Sequence, residues 1–223
     1  MPPRLLAHNR GMSGGVEREI KLSADGGYLL PDLNDLTAGV VEDSGPEPQE
    51  STYWDSDSLE LVRQGYGLRH RRRLDRPGDP GVWTLKTPGR MDADRMVRGE
   101  HELRAEGTAP PAELLALIPE AVDPVALHPV AVLSATRRVL TLGRAASGEK
   151  GAGTVEVMDD TVEVTAPGGG PVVDRFRELE VEMQDGADDL ADRVAARLRK
   201  AGAGPPESTS KYRRALQALG LQV

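Results

Sequence analysis

Glu17, Glu19 and Lys21 alternate in the run Val16-Glu17-Arg18-Glu19-Ile20-Lys21, and Phe176-Arg177-Glu178-Leu179-Glu180-Val181-Glu182 repeats the spacing with three acids. Extended chain sends successive side chains to opposite faces. Each run, read as a strand, therefore gathers its carboxylates on one side and its other residues on the opposite side. One such strand alone fits a wet face with Val16 and Ile20 turned inward. Two of them suggest an acidic interior, where carboxylate oxygens suit hard divalent cations.

The basic residues alternate as well. Arg69, Arg71 and Arg73 share a face of Tyr66-Gly67-Leu68-Arg69-His70-Arg71-Arg72-Arg73-Leu74. Such a run by itself fits a solvated or nucleic-acid-binding face, but a guanidinium fork also donates two hydrogen bonds to one phosphate. After a Pro- and Gly-containing turn, Val82-Trp83-Thr84-Leu85-Lys86 returns with Lys86 in phase with Val82 and Thr84. Arg98, Glu100 and Glu102 alternate next, with His101 out of phase, and the histidines show neither triad nor metal-ligand spacing. Of 28 basic residues only Lys21, Lys86, Lys150, Lys200 and Lys211 are lysine, which leaves 23 arginines. A lysine kept against that bias is a candidate for a compact point charge.

In this order, Glu17-x-Glu19-x-Lys21, the basic strands and the late Glu178-x-Glu180 resemble the CYTH family, also called triphosphate tunnel metalloenzymes. The resemblance runs from Val16 to Leu219 and implies an α+β fold, a closed antiparallel β-barrel of about eight strands with flanking helices; a barrel of that size holds one small ligand. It implies a lumen in which Glu17, Glu19, Glu100, Glu178 and Glu180 serve catalysis. Lys21, Arg69, Arg71, Lys86, Arg98, Arg137 and Lys211 would hold a triphosphate, with Arg137 favoured over its neighbour Arg138. Mg2+ or Mn2+ would sit at Glu17, Glu19, Glu102, Asp159, Glu178 and Glu180, Asp159 being set against Asp160 because adjacent strand residues point oppositely. Lys211 lies in Ser208-Thr209-Ser210-Lys211-Tyr212, which also reads as a cap for a following helix. The implied reaction is metal-dependent hydrolysis of the terminal phosphate of inorganic triphosphate or an organic triphosphate. The rivals are a class IV-type adenylate cyclase and a polyphosphate-binding module without turnover.

The elements that must position these residues are legible in outline. With 223 residues, 38% hydrophobic and 29% charged, the chain suffices for one domain over residues 16–223 behind a flexible leader over 1–15. Helices are expected near 30–36, 110–121, 187–200 and 213–219, and a loop over the Pro- and acid-rich 42–50. No run reaches the roughly 18 apolar residues of a membrane span. The net charge of -8 argues against a general nucleic-acid surface, and the lack of cysteine removes thiolate chemistry and disulfides. The expected partner is a triphosphate-containing small molecule in the cytoplasm, with no nucleic acid and no membrane, and with a homodimer left open.

Overall fold

Nine strands form in the computed structural model, which describes residues 11–37, 39–106, 109–144 and 153–223. They are β1 (Ser13–Ala24), β2 (Val40–Asp55), β3 (Gly67–Arg73), β4 (Val82–Lys86), β5 (Arg90–Asp92), β6 (Arg95–Arg104), β7 (His128–Arg144), β8 (Val155–Thr165) and β9 (Asp174–Met183). They hydrogen-bond in the order β1-β9-β8-β7-β2-β3-β4-β6-β5, and an additional β1–β6 pairing joins the ends. Eight antiparallel strands thus close a barrel, and the short β5 extends β6 where β4 has stopped. The α-helices among the described residues are α1 (Glu60–Arg63), α2 (Ala112–Leu115), α3 (Asp188–Lys200) and α4 (Lys211–Ala218).

Closure fixes two faces for each strand. Ile20, Leu22, Leu140, Leu142, Val155, Val157, Leu179 and Val181 turn outward and are covered by the Leu190, Val194 and Leu198 stripe of α3. Each such side chain removed from water stabilises by about 1.5–3 kcal/mol. On the opposite wall Leu68, Trp83, Leu85 and Leu103 pack with Leu61, Leu114 and Ile118. A third cluster lies at one end of the barrel, where Tyr212, Ala215 and Leu216 of α4 meet Tyr53, Leu133, Val162, Val164 and Phe176. Those strand residues share the register face of the charged ones, so α4 closes that end of the lumen.

Three expectations are corrected. Residues 42–50 belong to β2 rather than to a loop, with register shifts between Val40 and Glu42 and between Asp43 and Pro46. The prolines fit because β3 pairs β2 only from Gln49 onward, and the Pro48 carbonyl on that edge accepts from Leu74 N at 2.9 Å. Their missing N–H groups fall where no ladder needs them. The helix expected over 110–121 is the single turn α2, because Pro119 lacks an N–H and disfavours helical backbone in the residue before it. Residues 30–36 contain only a 3-10 turn, Asn34–Leu36. Of the expected leader, residues 1–10 lie outside the described residues, while Ser13–Gly15 already pair in β1 with Glu102–Glu100.

Candidate active site

The register brings the alternating charges together. Lys21 stands opposite Glu180, Glu19 opposite Glu182, Asp160 opposite Glu178, and Arg137 opposite Asp160. Around the barrel, Glu17 faces Arg98, Lys86 faces Glu100 and Arg69 faces Tyr53. Acidic strands therefore line one wall and basic strands the other.

At the closed end, Lys211 enters from the first turn of α4. Ser210 caps that helix by accepting from Arg213 N at 3.1 Å. The Lys211 ammonium lies 2.7 Å from Glu178, 2.7 Å from Glu180 and 3.0 Å from Asp160. Burial disfavours the ammonium, but these three acids outweigh it and raise Lys211 well above the ordinary lysine value. Arg137 grips Asp160 through two hydrogen bonds of 2.7 and 2.6 Å and reaches Glu180 at 3.3 Å. Lys21 Nζ lies 3.8 Å from Glu178 and donates to the Thr209 carbonyl at 3.3 Å. Burial pushes the Glu178 carboxyl up to about 7 against the pull of Lys211 and Lys21, with Glu180 adding to the rise. Glu180 itself falls well below the usual carboxylate range, because Lys211 and Arg137 outweigh its burial.

Toward the other end the balance changes. Glu17 accepts from Lys86 at 2.6 Å and from Arg98 at 2.7 Å, and these cations outweigh burial to hold its carboxyl at about 2. Arg98 also donates to Glu19 at 2.8 Å, and Lys86 lies 3.0 Å from Glu100. The Glu182 carboxylate has no ion-pair or hydrogen-bond partner among the described residues. Burial, then the neighbouring Glu17 and Glu100, push its carboxyl up to about 7. Glu156 stands opposite it on β8.

The basic wall carries the complementary excess. Arg73 is taken up by Glu47 and Asp75. Among the described residues Arg71 ion-pairs only with Glu102, at 3.9 Å, and Arg69, followed by burial and Arg137, pushes its guanidinium down to about 10. Arg69 makes no ion pair among the described residues, and its buried Nε has no hydrogen-bond partner. Between the walls lies a cavity of about 410 Å³ lined by Arg69, Arg71 and Arg137 on one side and by Glu17, Glu100 and Glu182 on the other.

The lumen thus contains Glu17, Glu19, Lys21, Arg69, Arg71, Lys86, Arg98, Glu100, Glu102, Arg137, Glu178 and Glu180, as their shared register faces show, and Lys211, which reaches it from α4. Asp159 is a correction. It turns outward to a bidentate pair with Arg177, at 2.8 and 2.7 Å, and Asp160 takes the lumen position. Arg138 also turns outward, to Asp43. Glu178 and Glu180 stand apart from the expected open metal cluster, because the Lys211 ammonium sits among them. The sequence reading placed Asp160 second to Asp159 and left Glu156 and Glu182 out of the candidate site. Their signal was present: Val155 and Val157 are apolar enough to face α3, which puts Glu156 and Asp160 on the lumen side, and Glu182 continues the period of Glu178 and Glu180.

A cation would find oxygen donors in Glu17, Glu19, Glu100 and Glu182. No three acid or histidine side chains already converge as a ready metal cage among the described residues. The excess negative charge around Glu182 nevertheless fits a hard divalent ion, since such a group is costly to leave buried without a cation.

The CYTH domain family matches residues 16–216. The chain belongs to the CYTH family. This CYTH protein is 32% identical over 217 residues to the uncharacterized proteins MT2285 and Rv2226 of Mycobacterium tuberculosis, covering 91% of its own length and 40% of theirs. The chain thus spans well under half the length of these curated relatives. The same fold occurs in an adenylate cyclase candidate of Bacillus halodurans, with TM-score 0.57, 15% identity, and 90% of this chain and 97% of that one covered. It occurs also in an adenylyl cyclase candidate from Hippeastrum described as having a dominant triphosphatase activity, with TM-score 0.55, 19% identity, and 93% and 97% covered. No helix among the described residues is long and apolar enough to cross a membrane.

Proposed function

We propose that this CYTH protein hydrolyses the terminal phosphate of a triphosphate held between the two walls of its lumen. The observation that carries the reading is the pair Arg69 and Arg71, two adjacent guanidinium groups without a close carboxylate partner, one with a buried and unpartnered Nε. An anion with several oxygens relieves their mutual repulsion and supplies the missing acceptor. Phosphate oxygens match the planar guanidinium fork better than a single carboxylate matches two such groups.

The reaction needs no protein nucleophile. Water attacks the terminal phosphorus, the bridging P–O bond breaks, and the electron pair leaves on the diphosphate oxygen, so that triphosphate and water give diphosphate and phosphate. Arg69 and Arg71 hold the non-bridging oxygens and offset charge as the bond breaks. Carboxylates at Glu100 and Glu182 provide acceptors for the proton released by the water, while Lys86 and Arg98 keep Glu17 ionised. Mg2+ or Mn2+ held by Glu17, Glu19, Glu100 and Glu182 would supply Lewis-acid polarisation of the phosphate oxygens.

The test is product release across a panel of inorganic and organic triphosphates, with excess chelator and after Mg2+ or Mn2+ is restored. Phosphate release that stops with chelator and returns with metal is expected. Turnover in excess EDTA, or diphosphate with cyclic AMP as the products from ATP, rejects the reading.

A further inference from the structure

We infer that Asp55, a carboxylate that does not line the charged cavity, is a positioning residue of the anion site, holding Lys211 and the surroundings of Arg69 in place through Tyr212. This rests on the triphosphate reading above, in which Arg69 is a phosphate clamp. Asp55 ends β2, is fully buried and pairs with no cation among the described residues. A buried carboxylate is costly unless its oxygens are hydrogen-bonded, and this one is served by neutral donors. Oδ1 accepts from Ser56 N and from Leu61 N, both at 2.9 Å. Oδ2 accepts from Val62 N at 3.0 Å and from the Tyr212 hydroxyl at 2.8 Å.

Three of these donors are backbone groups in and just before α1, and helix capping accounts for them. Capping alone does not call for a buried charge, because hydroxyls cap helices as well as carboxylates do. Ser56 Oγ already accepts from Glu60 N at 3.2 Å, and α1 has only four residues. The fourth donor is of another kind, 157 residues away at the start of α4. An ionised acceptor makes that bond roughly twice as strong as a neutral one. The Tyr212 ring lies flat on Tyr53, with centroids 4.6 Å apart and planes 6° apart, and its Cδ1 is 3.8 Å from where a Cβ on Gly67 would stand. Tyr53 stands opposite Arg69, and Gly67 precedes Arg69 by two residues on the same face of β3. The ring that Asp55 pins is therefore wedged against both strands beside the clamp. Lys211 precedes Tyr212 in the first turn of α4, so the same bond sets how that turn is rotated and how the ammonium meets Glu178, Glu180 and Asp160. Released from its tether, the turn would leave three buried carboxylates short of their cation, and these would repel a polyanion on Arg69.

The experiment measures equilibrium binding of a non-hydrolysable imido analogue of tripolyphosphate, with Mg2+ present, to the wild type, Tyr212→Phe, Asp55→Asn and the double variant. Asp159→Asn serves as a destabilised control, and thermal melts fix a temperature at which every variant compared is folded. Tyr212→Phe keeps the ring stack and the three backbone bonds to Asp55, so it decides the question if Asp55→Asn fails to fold. It should weaken binding about fivefold, Asp55→Asn should weaken it at least as much, and the double variant should lie within about twofold of the weaker single one, as expected of two groups that act through one bond. Asp159→Asn should stay within about twofold of wild type, because it changes no residue of this network. A lowered melting temperature with wild-type affinity in Tyr212→Phe overturns the inference and leaves Asp55 as an anchor of the fold. Multiplicative losses in the double variant, or an equal loss in Asp159→Asn, overturn it as well. The triphosphate reading survives each of those results, whereas a wild type that does not bind the analogue overturns both.

Discussion

The two ends of the lumen use the same residue types to opposite effect. At the closed end Glu178, Glu180 and Asp160 surround Lys211, with Lys21 and Arg137 behind them, so three carboxylates face three cations. Toward the other end Lys86 and Arg98 are shared among Glu17, Glu19 and Glu100, while among the described residues the Glu182 carboxylate makes no ion pair, Arg69 makes none, and Arg71 meets only Glu102 at 3.9 Å. One end is finished as protein. The other has surplus carboxylate on one wall and surplus guanidinium on the other, and a metal ion with a polyphosphate would neutralise both. The difference shows that a high density of charge does not itself mark a site; the site is where charges of each sign remain uncompensated by the fold.

The largest effect should come from breaking the finished end. Lys211→Met removes the cation among three buried carboxylates, and removing one partner of a buried pair costs about 3–5 kcal/mol. The stranded acids should then be raised in the folded state, so the variant binds more protons folded than unfolded. Its stability should recover as pH falls and decline as pH rises from the ordinary carboxylate range. Denaturant melts at pH 5 and pH 8 test this, and a loss independent of pH would show that Lys211 acts by apolar contacts of its stem.

The opposite sign is expected at the other end. Glu182 is raised from 4.5 to about 7, so below pH 4.5 it costs nothing, and the folded state loses stability as pH rises from there through 7. In chelator, Glu182→Gln should therefore raise stability at pH 8 by about 1–3 kcal/mol and flatten the pH dependence between pH 4.5 and 7. Thermal melts across that range measure it. A destabilised variant at pH 8 would place a cationic partner on Glu182 and erase the contrast between the two ends.

Much of this was legible because alternation is a local property. Glu17, Glu19 and Lys21 announce their common face within five residues, and so do Arg69 and Arg71. The division of labour among the cations was not legible. Lys211 was expected on the phosphate chain, yet its neighbours come from β8 and β9, and nothing local in Ser210-Lys211-Tyr212 encodes that encounter. Likewise, Pro46 and Pro48 signal a loop locally, and only the early end of β3 makes an edge on which they fit a strand. Asp159 differs, because its phase is local: Val155 and Val157 are apolar and face α3, so Asp159 continues their outward face and Asp160 falls inside.

That last case gives the smallest predicted effect on activity and a control for the comparison. Asp159 and Asp160 are adjacent, both buried and both bound to an arginine in bidentate fashion, so they differ chiefly in which side of β8 they occupy. Asp160 stands in the finished cluster with Arg137 and Lys211, and Asp160→Asn leaves those cations short of an anion inside the lumen. Asp159 pairs with Arg177, which also donates to the Tyr28 carbonyl, outside the lumen. Asp159→Asn should lower stability, because Arg177 loses its charged acceptor, but turnover and metal dependence at a temperature where the variant is folded should stay within about twofold of wild type, since no lumen charge changes. Paired measurements of turnover against metal concentration for the two variants separate these effects. A loss of metal response in Asp159→Asn equal to that in Asp160→Asn would mean that the face of the strand does not decide the role, and the assignment of lumen charges by register would have to be abandoned.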